Sequence, residues 1–308
     1  MDKLTNSRIT TRQRCPQKEY YQYVERLRPL GIQWPLVIGT AWHQGLEVFG
    51  GGGDEEEAVR EGLTAFDFIQ PQDDEETEFK LQMEKARTEV MIRQATRRFT
   101  AYPFTAVEQE FTVPIINPAS GRKSRRFVLG GKMDGIVEIN GKHWLVENKT
   151  TGLSLDLYRN SYGLSNQLTL YLTAASKVFG HPLEGAIMRT IVKTQTKPKM
   201  KAGVVIEGWL EYKDRLMMMY EEEPERYIAE DFVYRTPEQM KKFEQELWME
   251  TQERLWQDKT GTVRHNTSSC GDFGGCPFKP LCLAVEGARE SMYRVSETTH
   301  DELPSESA

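Results

Sequence analysis

The stretch from Phe127 to Gly152 constrains this chain more than any other. Apolar runs at Phe127-Val128-Leu129, Ile136-Val137 and Trp144-Leu145-Val146 flank the dipeptide Asn140-Gly141. Asn-Gly supplies the positive φ of a tight turn, so the spacing predicts a β-hairpin. Three ionisable residues ride on it: Asp134 on the first strand, Glu147 and Lys149 on the second. Side chains two apart on a strand share a face, so Glu147 and Lys149 point together. With Asp134 across the pair, the set can hold Mg²⁺ or Mn²⁺ through two carboxylates and leave an ammonium beside a bound water. An exposed hairpin carrying an ordinary ion pair would show the same residues, so the rest of the chain has to decide.

Composition sets bounds. The chain has 308 residues, 38% hydrophobic and 28% charged, with a net charge of −6. That is ordinary for a globular protein, and no apolar run approaches a membrane span or a targeting segment. The cytoplasm of a bacterial or phage-infected cell is the expected location. The acidic total argues weakly against a nucleic-acid partner, but charge distribution matters more. Acids concentrate at Asp54-Glu55-Glu56-Glu57, at Asp73-Asp74-Glu75-Glu76 and in the tail, while bases gather in two runs. One is Arg122, Lys123, Arg125 and Arg126; the other is Lys193, Lys197, Lys199 and Lys201. Such runs are usually solvated loops; beside core strands they are candidates for phosphate contacts.

Cysteine use is sparse and uneven. Cys15 stands alone, and Cys270, Cys276 and Cys282 follow at five-residue intervals. Four thiolates suffice for a tetrahedral zinc or an iron–sulfur cluster. Two disulfides are the other arrangement, although a core of this size does not need such staples.

Coarse periodicity places the remaining pieces. Residues 8–28 read as an arm and helix carrying Cys15. A helix over 35–49 puts Gly39, His43 and Glu47 on one face. Gly50 to Gly53 break the chain, and the acids after them cap the next helix. A charged helix over 75–100 reads as a surface cover, and 105–116 as a strand. A helix over 161–179 puts Gln167 and Tyr171 on one face, an ordinary amphipathic pattern by itself. Residues 185–193 read as a core strand, Val204 to Ile206 as another, and 208–223 and 236–258 as helices. The polar tail, 286–308, reads as disordered. No GxxxxGK[ST] phosphate loop is present, so any unwinding of a duplex would fall to a partner.

In order and spacing, four pieces resemble the PD-(D/E)XK nuclease superfamily, in its RecB-like branch. They are Gly39-Thr40-Ala41-Trp42-His43, the Asp134 strand, Glu147-Asn148-Lys149, and Gln167-Leu168-Thr169-Leu170-Tyr171. The resemblance implies an α/β fold: a restriction-endonuclease-like core with a small mixed sheet flanked by helices. It implies one nuclease domain over 1–285, its core about 35–210, with a cysteine-held lobe from 8–28 and 211–285. It implies a deoxyribonuclease, an exonuclease on DNA ends or single strands, working in recombination, repair or phage DNA metabolism beside a helicase or recombination partner. His43, Asp134, Glu147 and the Asn148 carbonyl would hold Mg²⁺ or Mn²⁺, and Glu110 would add a carboxylate. Lys149 would orient or deprotonate the water, and Gln167 and Tyr171 would position it or the DNA. Cys276-Pro277-Phe278-Lys279-Pro280-Leu281-Cys282 is similar to the last two ligands of iron–sulfur nucleases. In those, a 4Fe–4S cluster ties the first helix to the C-terminal segment. Here five residues lie between Cys270 and Cys276 where many members have two, which keeps zinc as an alternative. Two other readings stand beside the enzyme: a non-catalytic nucleic-acid-binding protein of the same fold, and a zinc-held scaffold.

Overall fold

The computed structural model describes residues 1–70, 74–202, 204–301 and 303. Its strands are β1 (Asp2–Leu4), β2 (Leu27–Pro29), β3 (Phe104–Ile116), β4 (Lys123–Ile139), β5 (Lys142–Thr151), β6 (Gly185–Val192), β7 (Met200–Lys201), β8 (Val204–Val205), β9 (Ile228–Val233) and β10 (Tyr293–Val295). Six of them form a mixed sheet in the order β1-β4-β5-β6-β9, with β3 also on β4. β1 and β4 run parallel, as do β5 and β6, while the other pairs are antiparallel. The expected hairpin is β4–β5, turning at Asn140 (φ +52°) and Gly141 (φ +75°). That is the left-handed backbone the Asn-Gly pair accommodates with least strain.

The register of β4 opens the sheet at one place. β3 follows one edge of β4 through the stretch that carries Asp134. The other edge is divided: β5 takes Gly135 to Ile139, and β1 takes Phe127 to Leu129. Gly130 to Asp134 therefore have no strand partner on that side. Beyond Val146, β5 leaves β4 and continues along β6, pairing Glu147 with Met188 and Lys149 with Thr190. The divergence creates a notch flanked by both sequence motifs.

Helices close the two sides. The Asn166–Phe179 and Pro237–Thr260 helices bury Leu168, Leu172, Phe243 and Leu247 against Phe111, Met133, Ile136 and Leu145. The Trp34–Gly50, Glu55–Leu63, Glu75–Arg98 and Trp209–Glu222 helices pack around Trp42, Val90, Met91, Tyr212 and Tyr220. As expected, the acids after the glycine run cap a helix: Asp54 and Glu57 form a capping box on Glu55–Leu63. No described helix is long and apolar enough to cross a membrane.

Three expectations are corrected. The Glu75–Arg98 helix is not a surface cover; Val90, Met91 and Ile92 are fully buried within it. Each such side chain contributes about 1.5–3 kcal/mol when removed from water. Residues 211–258 belong largely to the core, since Tyr212, Leu216 and Tyr220 are also fully buried. The tail is not wholly disordered: Ala288–Met292 is a helix, and β10 pairs antiparallel with β2. Residues 304–308 lie outside the described residues.

Candidate active site

His43 enters the notch from the Trp34–Gly50 helix. That helix approaches its neighbours closely because Gly45 and Gly62 both face Ile92. His43 Nδ1 lies 3.3 Å from Asp134 Oδ1. The other Asp134 oxygen accepts the Asn148 backbone N–H at 2.7 Å, replacing the ladder bond lost where β5 departs. On β5, Lys149 Nζ meets Glu147 Oε1 at 2.5 Å, so the two side chains share a face as expected. Gln167 Nε2 donates to the same Oε1 at 2.7 Å. Glu147 Oε2 is buried without a hydrogen-bond partner.

A further carboxylate, unforeseen in the sequence, completes the group. Ligand atoms of His43, Glu108 and Asp134 all lie within 4.8 Å of one another. Glu110, expected in that place, is exposed on β3. Glu108 has φ +49° in the middle of the strand. That left-handed residue interrupts the regular strand at Glu108, which ion-pairs with Lys132. Strained backbone of this kind costs about 1–3 kcal/mol and clusters at functional sites.

The electrostatics are those of a dense anionic pocket. Burial pushes Glu147 up to about 7; the nearby Asp134 charge adds to this and Lys149 opposes it. Burial also raises Glu108, only partly countered by Lys132. Asp134 is held below the usual carboxylate range: burial works against this, but His43, Lys149 and the Asn148 N–H outweigh it. His43 loses to burial and gains more from Asp134, ending above an ordinary imidazole. Lys149 likewise ends raised, because Glu147 and Asp134 outweigh its desolvation. Beside Glu147 it is held as a charge and a hydrogen-bond donor. One imidazole, converging carboxylates and an orphaned buried oxygen suit a divalent ion.

Other sequence candidates divide. Tyr171 is buried edge-on to Phe111, with ring centroids 5.8 Å apart. Its ring lies against Gly131 as well as Phe111, on the side of β4 that carries the notch. Arg122, Lys123 and Arg125 are exposed, and Arg126 pairs with Asp2 and Asp258. Seven residues separate Arg126 from Asp134, roughly 25 Å along a strand, so that run is remote from the notch. Lys193 is nearer, its N–H donating to Thr151 at the end of β5, while Lys197, Lys199 and Lys201 are exposed around the β7–β8 hairpin.

Three of the four cysteines line one cavity, and the fourth, Cys282, lies close enough for their charges to act on its thiol. The thiol of Cys282 is pushed up first by burial, then by Cys276, Cys15 and Cys270 around it. The Asn266 N–H reaches Cys15 Sγ at 3.4 Å, and Cys276 N–H donates to Cys270 O at 2.8 Å. Tyr21, Phe278 and Tyr293 pack beside them, Phe278 and Tyr293 stacking at 5.5 Å. A cavity of about 800 Å³ is lined in part by Cys15, Cys270 and Cys276.

With fold and notch in place, comparison with known proteins supplies the class. The chain matches the family model of the PD-(D/E)XK nuclease superfamily over residues 3–283, and it belongs to that superfamily. Its members are nucleases that work with divalent metal ions. No curated protein matches the chain. A solved structure described as "Crystal structure of SSO0001" is similar at 15% identity and a TM-score of 0.32, over 80% of this chain and 75% of that one.

Proposed function

We propose that this protein is a metal-dependent deoxyribonuclease of the RecB-like branch, acting as an exonuclease on DNA ends or single strands. The observation that carries the reading is the meeting of His43, Glu108 and Asp134 within 4.8 Å, beside the Glu147–Lys149 pair. His43, Glu108, Asp134 and Glu147, with the Asn148 carbonyl, would hold Mg²⁺ or Mn²⁺. When bound, the ion lowers the pKa of a water and neutralises charge growing on the phosphate. Lys149, held protonated, donates to that water or to a phosphate oxygen and opposes the negative charge of the five-coordinate state. Gln167 fixes the Glu147 carboxylate through Oε1, and the unpartnered Oε2 would be the atom available to a metal. Asp134 is anchored by the Asn148 N–H, which keeps one of its oxygens toward His43. Lys193 and the Lys197–Lys201 segment would bind phosphates of the incoming strand, with the Arg122–Arg126 run reserved for DNA more distant from the cut.

The gathering of Cys15, Cys270, Cys276 and Cys282 supports a 4Fe–4S cluster in the terminal lobe, with zinc as the competing occupant. Anaerobically purified protein should be brown, absorb near ~400 nm and contain iron and sulfide, whereas a zinc protein is colourless. The activity test is digestion of end-labelled linear and circular DNA, single- and double-stranded, with Mn²⁺ or Mg²⁺. Linear substrates should shorten from an end while circles persist. Cutting of circles would make it an endonuclease, and inert DNA with intact Mn²⁺ binding would return the protein to the non-catalytic binding class.

A further inference from the structure

Lys132 has no part in the reaction as described, yet its ammonium sits against the metal group. It ion-pairs with Glu108 Oε2, its own side chain 33% exposed and that of Glu108 10% exposed. Glu47 and Asp134 act on the same ammonium from the His43 helix and from β4. Within the notch, three carboxylates (Glu108, Asp134 and Glu147) face two ammoniums. Each ammonium is spent on one carboxylate: Lys149 on Glu147, Lys132 on Glu108. The two lysines differ in freedom. Lys149 comes from β5 where that strand pairs with β6. Lys132 comes from the stretch of β4 that lacks a strand partner on one edge, and its side chain is a third exposed.

We propose that Lys132 is a tethered counter-ion that competes with the divalent metal for Glu108 and swings out to solvent when the metal binds. This rests on the metal-dependent reading above. The ammonium on Glu108 Oε2 draws on that carboxylate's charge and repels a divalent ion attracted to the same group, so the two cations compete for it. The ammonium keeps the metal-free pocket from holding several uncompensated carboxylates at close range, an arrangement that like-charge repulsion disfavours. Its release leaves a positive group at the rim of the notch, where the phosphate of a substrate arrives. Metal uptake is thereby tuned down in the empty protein.

The test is Mn²⁺ titration of the full chain, followed by calorimetry and by the electron-spin signal of free Mn²⁺. Lys132→Met should bind Mn²⁺ about three- to tenfold more tightly, the range expected for losing a half-exposed competing ion pair. Lys132→Gln, which keeps a polar side chain, should do the same. Lys132→Arg should loosen Mn²⁺, because a guanidinium grips a carboxylate at two points. In a Glu108→Gln background the Lys132→Met effect should vanish. Without metal, Lys132→Met should melt lower than wild type and gain more from saturating Mn²⁺. Unchanged or weaker Mn²⁺ binding by both Lys132→Met and Lys132→Gln overturns the proposal alone. Failure of wild type to bind Mn²⁺ overturns the metal reading and this proposal with it.

Discussion

Single residues decide the chemistry of the notch, and they were unequally legible in the sequence. Asp134, Glu147 and Lys149 could be placed because a hairpin with an Asn-Gly turn fixes which side chains share a face. Glu108 could not, because its left-handed backbone in the middle of β3 has no signature in the sequence and the resemblance pointed to Glu110. The contrast is testable: Glu108→Gln should weaken Mn²⁺ binding at least tenfold, while Glu110→Gln leaves it within about twofold, both by titration. Equal effects would mean that Glu108 is not the ligand. For Lys149 the expected loss is kinetic. Lys149→Ala should cut single-turnover DNA cleavage by ~10²–10³ and still bind Mn²⁺, since it removes a charge that matters most in the transition state. The fold should survive, because burial already raises the Glu147 pKa and loss of Lys149, which lowers it, lets the carboxyl go neutral. Wild-type cleavage by the variant would remove Lys149 from the reaction.

At the scale of elements, long periodic segments could be read and short or irregular ones could not. The His43 helix, β3, the hairpin and β6 follow from apolar spacing and turn chemistry. β9 escaped because its acids are spoken for by tertiary partners: Glu230 by Arg189 and Asp231 by Arg159. β1 is three residues long and carries no pattern. The apolar stripe of Glu75–Arg98 was hidden among its charges. Helix spacing also sets the site, since His43 reaches Asp134 only if its helix stays close to its neighbours. A Cβ on Gly62 would stand 2.5 Å from Ile92 Cδ1 and 2.7 Å from the Ala41 carbonyl oxygen. Ile92 can rotate, but the Ala41 backbone oxygen, two residues before His43, cannot. Gly62→Ala should therefore lose about 1–3 kcal/mol in denaturant unfolding and weaken Mn²⁺ binding as His43 shifts. An unchanged midpoint with unchanged Mn²⁺ affinity would show that this contact does not position the helix.

For the whole molecule, a buried charge cluster joins the N-terminal helix to the long helix near the C-terminal end. Glu19 is buried behind the N-terminal helix, with Arg8 Nε at 2.6 Å and Arg254 Nη1 of the Pro237–Thr260 helix at 2.7 Å. Arg12 joins them, reaching Glu19 at 3.6 Å and Glu250 at 3.1 Å. The sequence could not announce this cluster, because its members are separated by up to some 240 residues and look like ordinary surface charges. Burial alone would raise the Glu19 pKa, but Arg254 and Arg8 outweigh it and hold it below the usual carboxylate range. A depressed folded-state pKa makes the ionised form part of the stability. That contribution is complete above the unfolded pKa of about 4.3 and is lost as pH falls through the lower folded value. Glu250 is raised by burial and runs the opposite way, so wild type alone would blur the effect. Comparison with Glu19→Gln isolates it. Near neutral pH the variant should be ~3–5 kcal/mol less stable, since three buried guanidiniums lose their shared carboxylate. The gap should hold down to about pH 5 and narrow below about pH 4, as wild-type Glu19 takes up its proton. Urea unfolding of both proteins across that range measures it. A gap that is constant with pH would mean the lost stability comes from packing around Glu19 and not from its charge.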